Sequence, residues 1–299
     1  MISRILTPAI RGRLRYAEPM AKHTTWRTGG PADQFYTPAD IDDLAMFLRA
    51  LDPKPPVYWL GLGSNLLVRD GGVRGVVIAV AGILNGISIA SPGCLRAEAG
   101  VPGAKLARFS VRQGLTGVEF LAGIPGTVGG ALAMNAGAFG GETWERVQKV
   151  ETIDRAGTIR TRPRADFKIG YRSVVGPANE WFIAGHFKLG QGPSSAGKSL
   201  IKTLLAKRGA SQPTQLPNAG SVFRNPPEDY AARLIETAGL KGLCEGQACV
   251  SELHANFIVN QGNATAAEIE ALIEKIQIKV LERHGIKLQP EVRIIGDAS

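Results

Sequence analysis

With 299 residues, 44% hydrophobic and 20% charged, the chain has the composition of a soluble globular protein long enough for two or three domains. Its net charge of +9 is dispersed among acids, aromatics are only 6%, and no nucleic-acid module is recognisable, so the basic excess points to anionic small molecules and away from nucleic acid. No apolar run approaches the roughly 20 residues of a membrane span, and residues 1–20 lack a signal-peptide core, so a cytoplasmic protein without membrane insertion is expected.

In chain order, Asp40 to Leu51 has helical spacing in Ile41, Leu44, Phe47, Leu48 and Leu51. Val57 to Leu60, Leu66 to Val68 and Val76 to Val80 read as strands separated by the turn Gly61 to Asn65 and by Asp70-Gly71-Gly72. Leu95 to Ala99 precedes a helix over Lys105 to Gln113, closed by Gly114. Val147 to Arg162 is expected to be a strand pair turning at Arg155-Ala156-Gly157, and Trp181 to Leu189 a further strand. Gln191 to Ser195, rich in Gly, Pro and Ser, reads as a linker. Beyond it, Thr265 and Glu268 form a capping box opening an amphipathic helix that Gly285 closes, flanked by strand-like Asn256 to Asn260 and Val292 to Ile295. The expected division is 1–80 and 81–192 as two subdomains, then 193–299 as a second domain.

Cys94, Cys244 and Cys249 form an odd set without CxxC, which predicts buried reduced thiols and no disulfide framework. His23, His186, His254 and His284 are too dispersed for a local ligand motif, so no metal is expected.

Residues 192–199, GPSSAGKS, match the phosphate-loop pattern GxxxxGK[ST], with Lys198 and Ser199 at its chemical end. Such a loop needs a downstream apolar strand ending in an acidic metal ligand, and none follows. The segment therefore reads as a linker and helix cap, with an ATP-dependent kinase using residues 192–199 as an alternative.

Gly114 to Glu142 holds nine glycines in 29 residues. Glycine at that density belongs where backbone takes positive φ or lies against something with no room for a Cβ. A bulky phosphate-bearing ligand is the natural candidate, cradled by backbone amides of Ile124 to Gly130 and of the Gly61 to Asn65 turn. No GxGxxG occurs, which argues against an ordinary Rossmann enzyme.

LGLGSNLLV at 60–68 and AGIPGTVGGALAMNAGAFGGE at 122–142 resemble the two flavin-binding signatures of the UDP-N-acetylenolpyruvoylglucosamine reductases, also called UDP-N-acetylmuramate dehydrogenases. The resemblance continues in order through GYRSVV at 170–175, GSVFRNP at 220–226, AARLIETAGLKG at 231–242, HANFIVN at 254–260 and QPEVRIIG at 289–296. It implies an α+β fold: a two-part FAD-binding domain of the vanillyl-alcohol-oxidase type, then a C-terminal α+β substrate domain. The length after Tyr171 resembles the shorter branch, which lacks an inserted tyrosine loop. One departure is Leu62, where the family commonly has glycine.

The resemblance implies FAD as cofactor, NADPH as hydride donor and reduction of an enolpyruvyl UDP-sugar in peptidoglycan precursor synthesis. FAD contacts are implied at Gly61, Gly63, Ser64, Asn65, Leu66, Gly123, Ile124, Pro125, Gly126, Thr127, Gly129, Gly130, Asn135 and Gly137. Arg172, Ser221 and Glu291 match the catalytic positions: a permanent cation for the substrate carboxylate, a proton donor to C2, and a group that polarises the enolate. Tyr171, Asn225, His254, Arg293, Lys207 and Arg208 are candidate substrate contacts, with Lys241 a further cation for the uridine or diphosphate. A monomer is expected. The alternatives are another FAD oxidoreductase on the same scaffold and a flavin-carrying binding protein.

Overall fold

A computed structural model describes residues 10–298. Residues 1–9, the start of the expected first subdomain and of the N-terminal stretch tested for a signal peptide, lie outside the described residues. Two compact units emerge, neither continuous in sequence. The first comprises residues 10–15, Gln34–Gly61 and Gly75–Ala206; the second comprises Tyr16–Asp33, Leu62–Arg74 and residues 207–298.

In the first unit, helix α1 (Ile41–Ala50) starts where Asp40 caps it, its carboxylate accepting the Asp43 N–H at 2.9 Å. Such a cap is worth about 1 kcal/mol. Its apolar face, Leu44, Phe47 and Leu48, is buried with Tyr36, Val76 and Ile78 on a four-stranded sheet ordered Arg13–Pro19, Pro31–Thr37, Val73–Ala79, Val57–Leu60. The last pair is parallel, with Val57 opposite Val76. A second core lies on a five-stranded antiparallel sheet ordered Ile159–Pro163, Val147–Asp154, Glu180–Lys188, Cys94–Glu98, Ile87–Ser91. Helices α2 (Gly103–Arg112) and α3 (Val128–Met134) bury Leu106, Val111, Val128 and Leu132 in that core beside Trp144 and Phe187. On this sheet Arg96 holds Glu151 with two hydrogen bonds of 2.7 Å, and His186 lies 2.7 Å from the same carboxylate. The Arg96 hydrogen bonds hold the Glu151 carboxyl below the usual range.

The 192–199 segment departs from the linker reading. Helix α4 (Ser194–Ser211) begins inside it, with the Pro193 carbonyl accepting N–H groups from Ala196 and Gly197. Gly197 is buried because a Cβ there would come 2.7 Å from Val111, while Lys198 and Ser199 face solvent. A phosphate loop needs its amides turned into one concavity; here residues 194–199 are committed to a helix.

The second unit has its own core, in which α5 (Ala231–Thr237) and α6 (Ala266–His284) pack with Trp26, Leu67, Val222, Phe223 and Val250. The capping box at Thr265 and Glu268 forms, and Gly285 ends α6 at φ 68°. Asp70 accepts the N–H groups of Ala266 and Ala267 at 3.0 and 2.9 Å, a further anionic cap on the helix.

The expectation of three reduced thiols fails at one pair. Cys244 and Cys249 are bonded, S–S 2.05 Å, and only Cys94 remains a buried thiol. The reason is register. Cys244–Glu245 and Ala248–Val250 form a hairpin through Gly246 (φ 52°), which puts the two cysteines directly opposite with Cα atoms 4.1 Å apart. Counting cysteines and searching for CxxC does not see a pairing created by a two-residue turn. Among the described residues no helix is long and apolar enough to cross a membrane.

Candidate active site

Arg172 occupies the two-residue turn between strands Lys168–Gly170 and Ser173–Val175, at φ 51°. A bulky residue in the left-handed region costs on the order of 1–3 kcal/mol, and such strain persists where surrounding contacts impose it. The contacts are visible. The Arg172 guanidinium donates to the carbonyl of Gly137 at 2.6 Å and to that of Asn135 at 3.4 Å, and its Cζ lies 5.1 Å from the Tyr171 ring, which is exposed.

Asn135 is the knot beneath this arginine. It sits at φ 45°, ending α3, with its side chain buried: the amide donates to Glu142 and to the Gly170 carbonyl, and its oxygen accepts the Trp144 N–H. The residue expected as a cofactor contact thus spends its side chain on the hairpin that carries Arg172. Gly137 is glycine for a related reason, since a Cβ there would come 2.7 Å from the Gly141 carbonyl and 3.1 Å from Arg172 Nη1.

The glycine-rich loop divides its labour. The N–H groups of Val128 and Gly129 bond to the carbonyls of Val101 and Ala99 at 2.8 Å, and that of Ile124 bonds to Leu121. Gly123 lies against the Phe139 ring and Gly129 against Ala99. These positions hold the loop to its own unit, so the amides reach a ligand at fewer places than the sequence suggests. Its outward face includes exposed Pro125 and Gly130; a Cβ on Gly130 would meet only Thr127 Oγ1 at 3.8 Å. Gly126 has φ 156°, and Thr127 is buried, its hydroxyl accepting the Gly130 N–H at 3.4 Å. Gly61 abuts the same threonine, its Cβ position 2.6 Å from Thr127 Oγ1, so within the first unit the start of the 60–68 signature meets the glycine-rich loop. Residues 122–138 carry no charged side chain that would repel a diphosphate.

In the second unit Gly63 takes φ 63°, and a Cβ would fall 2.1 Å from the His23 carbonyl. Half-buried Ser64 follows. Asn65 donates to the Glu291 carbonyl at 3.1 Å and accepts the Arg293 N–H at 3.0 Å, after which Leu66 pairs in parallel with Arg293. Glu291 in turn donates its N–H to the Val222 carbonyl at 2.7 Å, one residue after Ser221. The structure thereby brings Ser221, Glu291 and the Asn65–Leu66 signature onto neighbouring, hydrogen-bonded segments. Ser221 and Glu291 are both half-buried.

The remaining candidates are more dispersed in role. Asn225 accepts the Ala231 N–H at 3.1 Å and so helps start α5. His254 stacks edge-on against Phe257 at 4.7 Å, and its Nδ1 accepts the Asn256 N–H at 3.3 Å. Burial pushes its pKa below the usual histidine value, and Lys241 adds to the effect. Lys241 is itself paired with Glu236 at 2.7 Å. Arg293 and Lys207 are exposed; Arg208 donates to Gln212 at 3.1 Å, and burial lowers its pKa.

Sequence reasoning missed the segment 23–30, HTTWRTGG. Thr25 N–H bonds to the Gly63 carbonyl at 3.2 Å, Thr24 closes the turn onto Thr28, and fully buried Trp26 donates to Ile258 at 2.8 Å. Positive φ at Arg27 and Gly29 shapes it. Its signal was the run of hydroxyls ending in two adjacent glycines.

A model of the FAD binding domain matches residues 32–162, and one of the UDP-N-acetylenolpyruvoylglucosamine reductase C-terminal domain matches residues 212–295. The UDP-N-acetylenolpyruvoylglucosamine reductases of Methylococcus capsulatus and Alkalilimnicola ehrlichii are each 57% identical, covering 96% of this chain and 95% and 96% of their own. The crystal structure of UDP-N-acetylenolpyruvylglucosamine reductase from Thermus caldophilus matches with a TM-score of 0.82 at 32% identity, covering 95% of this chain and 98% of that one. An FAD-binding portion followed by a reductase C-terminal domain is the α+β architecture expected from the sequence, and the chain belongs to the UDP-N-acetylenolpyruvoylglucosamine reductase family.

Proposed function

We propose that this protein is an NADPH-dependent, FAD-carrying reductase that converts UDP-N-acetylglucosamine enolpyruvate to UDP-N-acetylmuramate for peptidoglycan precursor synthesis, as a cytoplasmic monomer. The observation that carries the reading is the hydrogen-bonded pair of segments holding Ser221 and Glu291, joined at the Phe223–Pro290 bridge and fastened by Asn65 to a flavin signature. A flavin-carrying binding protein would have no need of a hydroxyl and a carboxyl set on adjoining hydrogen-bonded segments. The residues fit the cofactor: Gly126, Thr127 and Gly130 would hold its diphosphate on the uncharged loop, where the Cβ position of Gly130 is open.

When bound, FAD would supply hydride transfer between NADPH and C3 of the enolpyruvyl double bond. The electron pair of that double bond then moves to C2 and into the carboxylate. Arg172 holds the carboxylate as its charge grows, from a backbone pose already strained and braced before substrate binds. Ser221 Oγ gives its proton to C2; the O–H bond breaks and the C2–H bond forms. Glu291 polarises the enolate and keeps it aligned with the serine. Tyr171, His254, Lys207, Arg208, Asn225 and Arg293 would contact the UDP-sugar.

Rapid-mixing measurement of Ser221→Ala tests this assignment. NADPH should bleach the flavin at the wild-type rate, while reoxidation by the UDP-sugar should fall by about 10²–10⁴, the usual worth of a positioned proton donor. Equal loss of both half-reactions would refute the proton-donor role.

A further inference from the structure

Asn256 is buried at 4% exposure, and nothing in the chemistry above uses it. Its backbone carbonyl accepts the Val222 N–H at 2.9 Å. Its side-chain oxygen accepts the Phe223 N–H at 2.9 Å, and its side-chain nitrogen donates to the Phe223 carbonyl at 2.8 Å. Together with the Glu291 N–H on the Val222 carbonyl, these bonds engage every backbone donor and acceptor of the two residues following Ser221.

The arrangement has a topological cause. The segment 217–223 runs beside 256–260, with Asn218 opposite Val259 and the Asn260 N–H on the Pro217 carbonyl. Before Asn256 the neighbouring segment is bent into a turn, with Phe257 N–H on the His254 carbonyl and Ser251 N–H on the Phe257 carbonyl. No backbone partner remains there for Phe223. The primary amide of Asn256, a donor and an acceptor side by side, replaces the missing strand. On the other side of the serine, Gly220 takes φ 76° and its N–H bonds to Asn218.

We propose that Asn256 is a positioning residue for proton transfer: by clamping Phe223 it fixes the backbone that sets where the Ser221 hydroxyl points, next to the segment that carries Glu291. The inference rests on reading Ser221 as the proton donor. A misplacement of about 1 Å at a reacting group costs about 100-fold in rate, so loosening the clamp has a readable effect. Flavin reduction by NADPH does not involve this proton and is left untouched.

The test is Asn256→Asp, which keeps size and the acceptor oxygen but, when ionised, loses the donor. Flavin content and the rate of bleaching by NADPH should stay within about twofold of wild type, while reoxidation by the UDP-sugar should fall about 100-fold with little change in substrate KM. Lowering the pH protonates the introduced carboxyl, restores an O–H donor and should recover the lost rate, whereas Ser221→Ala should not recover. The double variant should be no slower than Ser221→Ala, because both changes act through one hydroxyl. If Ser221→Ala itself reoxidises normally, the proton-donor reading fails. If Ser221→Ala is slow but Asn256→Asp is not, or if the effects multiply, only the role of Asn256 fails. Failure of both Asn256→Asp and Asn256→Ser to give flavin-loaded protein would assign Asn256 to folding alone and overturn the proposal.

Discussion

Arg172 and Ser221 are held by opposite means. Arg172 stands in a hairpin turn at positive φ, and its place is set through its side chain, which reaches the carbonyls of Asn135 and Gly137. Ser221 precedes a stretch whose backbone is saturated by Asn256 and Glu291, so its place is set through the main chain. The difference follows from the two tasks. A long cation must be braced along its length, since an unbraced arginine samples many rotamers. A hydroxyl one bond from Cβ goes wherever its backbone goes. Mutations therefore act differently in the two places: at the arginine it is the side chain's own hydrogen bonds that a change removes, whereas around the serine it is the bonds of its neighbours' backbone.

The largest expected effect that would break this contrast is Arg172→Gly. Glycine relieves the positive φ, so global stability should change by less than about 1 kcal/mol, while substrate-driven reoxidation should fall about 10²–10³-fold. A large loss of thermal stability would show that the arginine supports the fold. Next comes Asn135→Ala, which leaves the buried Trp144 N–H and the Gly170 carbonyl without the partner they have. At about 1–3 kcal/mol for an orphaned buried donor, here the Trp144 N–H, chemical denaturation should reveal a loss of about 1–3 kcal/mol. A loss below 1 kcal/mol would remove Asn135 from the brace.

A smaller effect depends on pH. The folded pKa of His254 lies below its unfolded value, about 6.5, because burial opposes the charged ring. The unfolded chain then takes up the proton first as pH falls. The stability tied to the neutral ring is present above about pH 6.5 and is lost on acidification through and below that value. Stability curves of wild type and His254→Gln should converge as the pH drops below 6.5; parallel curves would dismiss the buried neutral ring. The smallest effect belongs to Lys198→Ala. Its side chain is exposed on α4, so both half-reactions and the melting temperature should match wild type, and loss of turnover in folded protein would revive the phosphate-loop reading.

The glycine-rich run shows how far the sequence was legible. Its density announced backbone in close quarters, and so it is. Yet several of its glycines lie against the protein itself: Gly129 meets Ala99, Gly141 meets Phe120, and Gly123 meets Phe139. Density alone cannot separate packing against a ligand from packing against the chain's own backbone, because both demand the same missing Cβ. Asn135 and Asn256 were illegible for another reason. Each acts on backbone groups brought near by folding, Asn256 across 33 residues of sequence, and no local spacing encodes such a partner.

Local chemistry was enough to place the elements. The Thr265–Glu268 box, Gly285 and the strand pair turning at Arg155-Ala156-Gly157 all act within a few residues, and all appear where the sequence puts them. Family motifs were enough to nominate Arg172, Ser221 and Glu291. Folding was needed to join Cys244 to Cys249, to draw 194–199 into a helix, and to settle which asparagines brace which backbone. Those outcomes depend on register and long-range approach, whereas caps and turns are complete within their own stretch of chain.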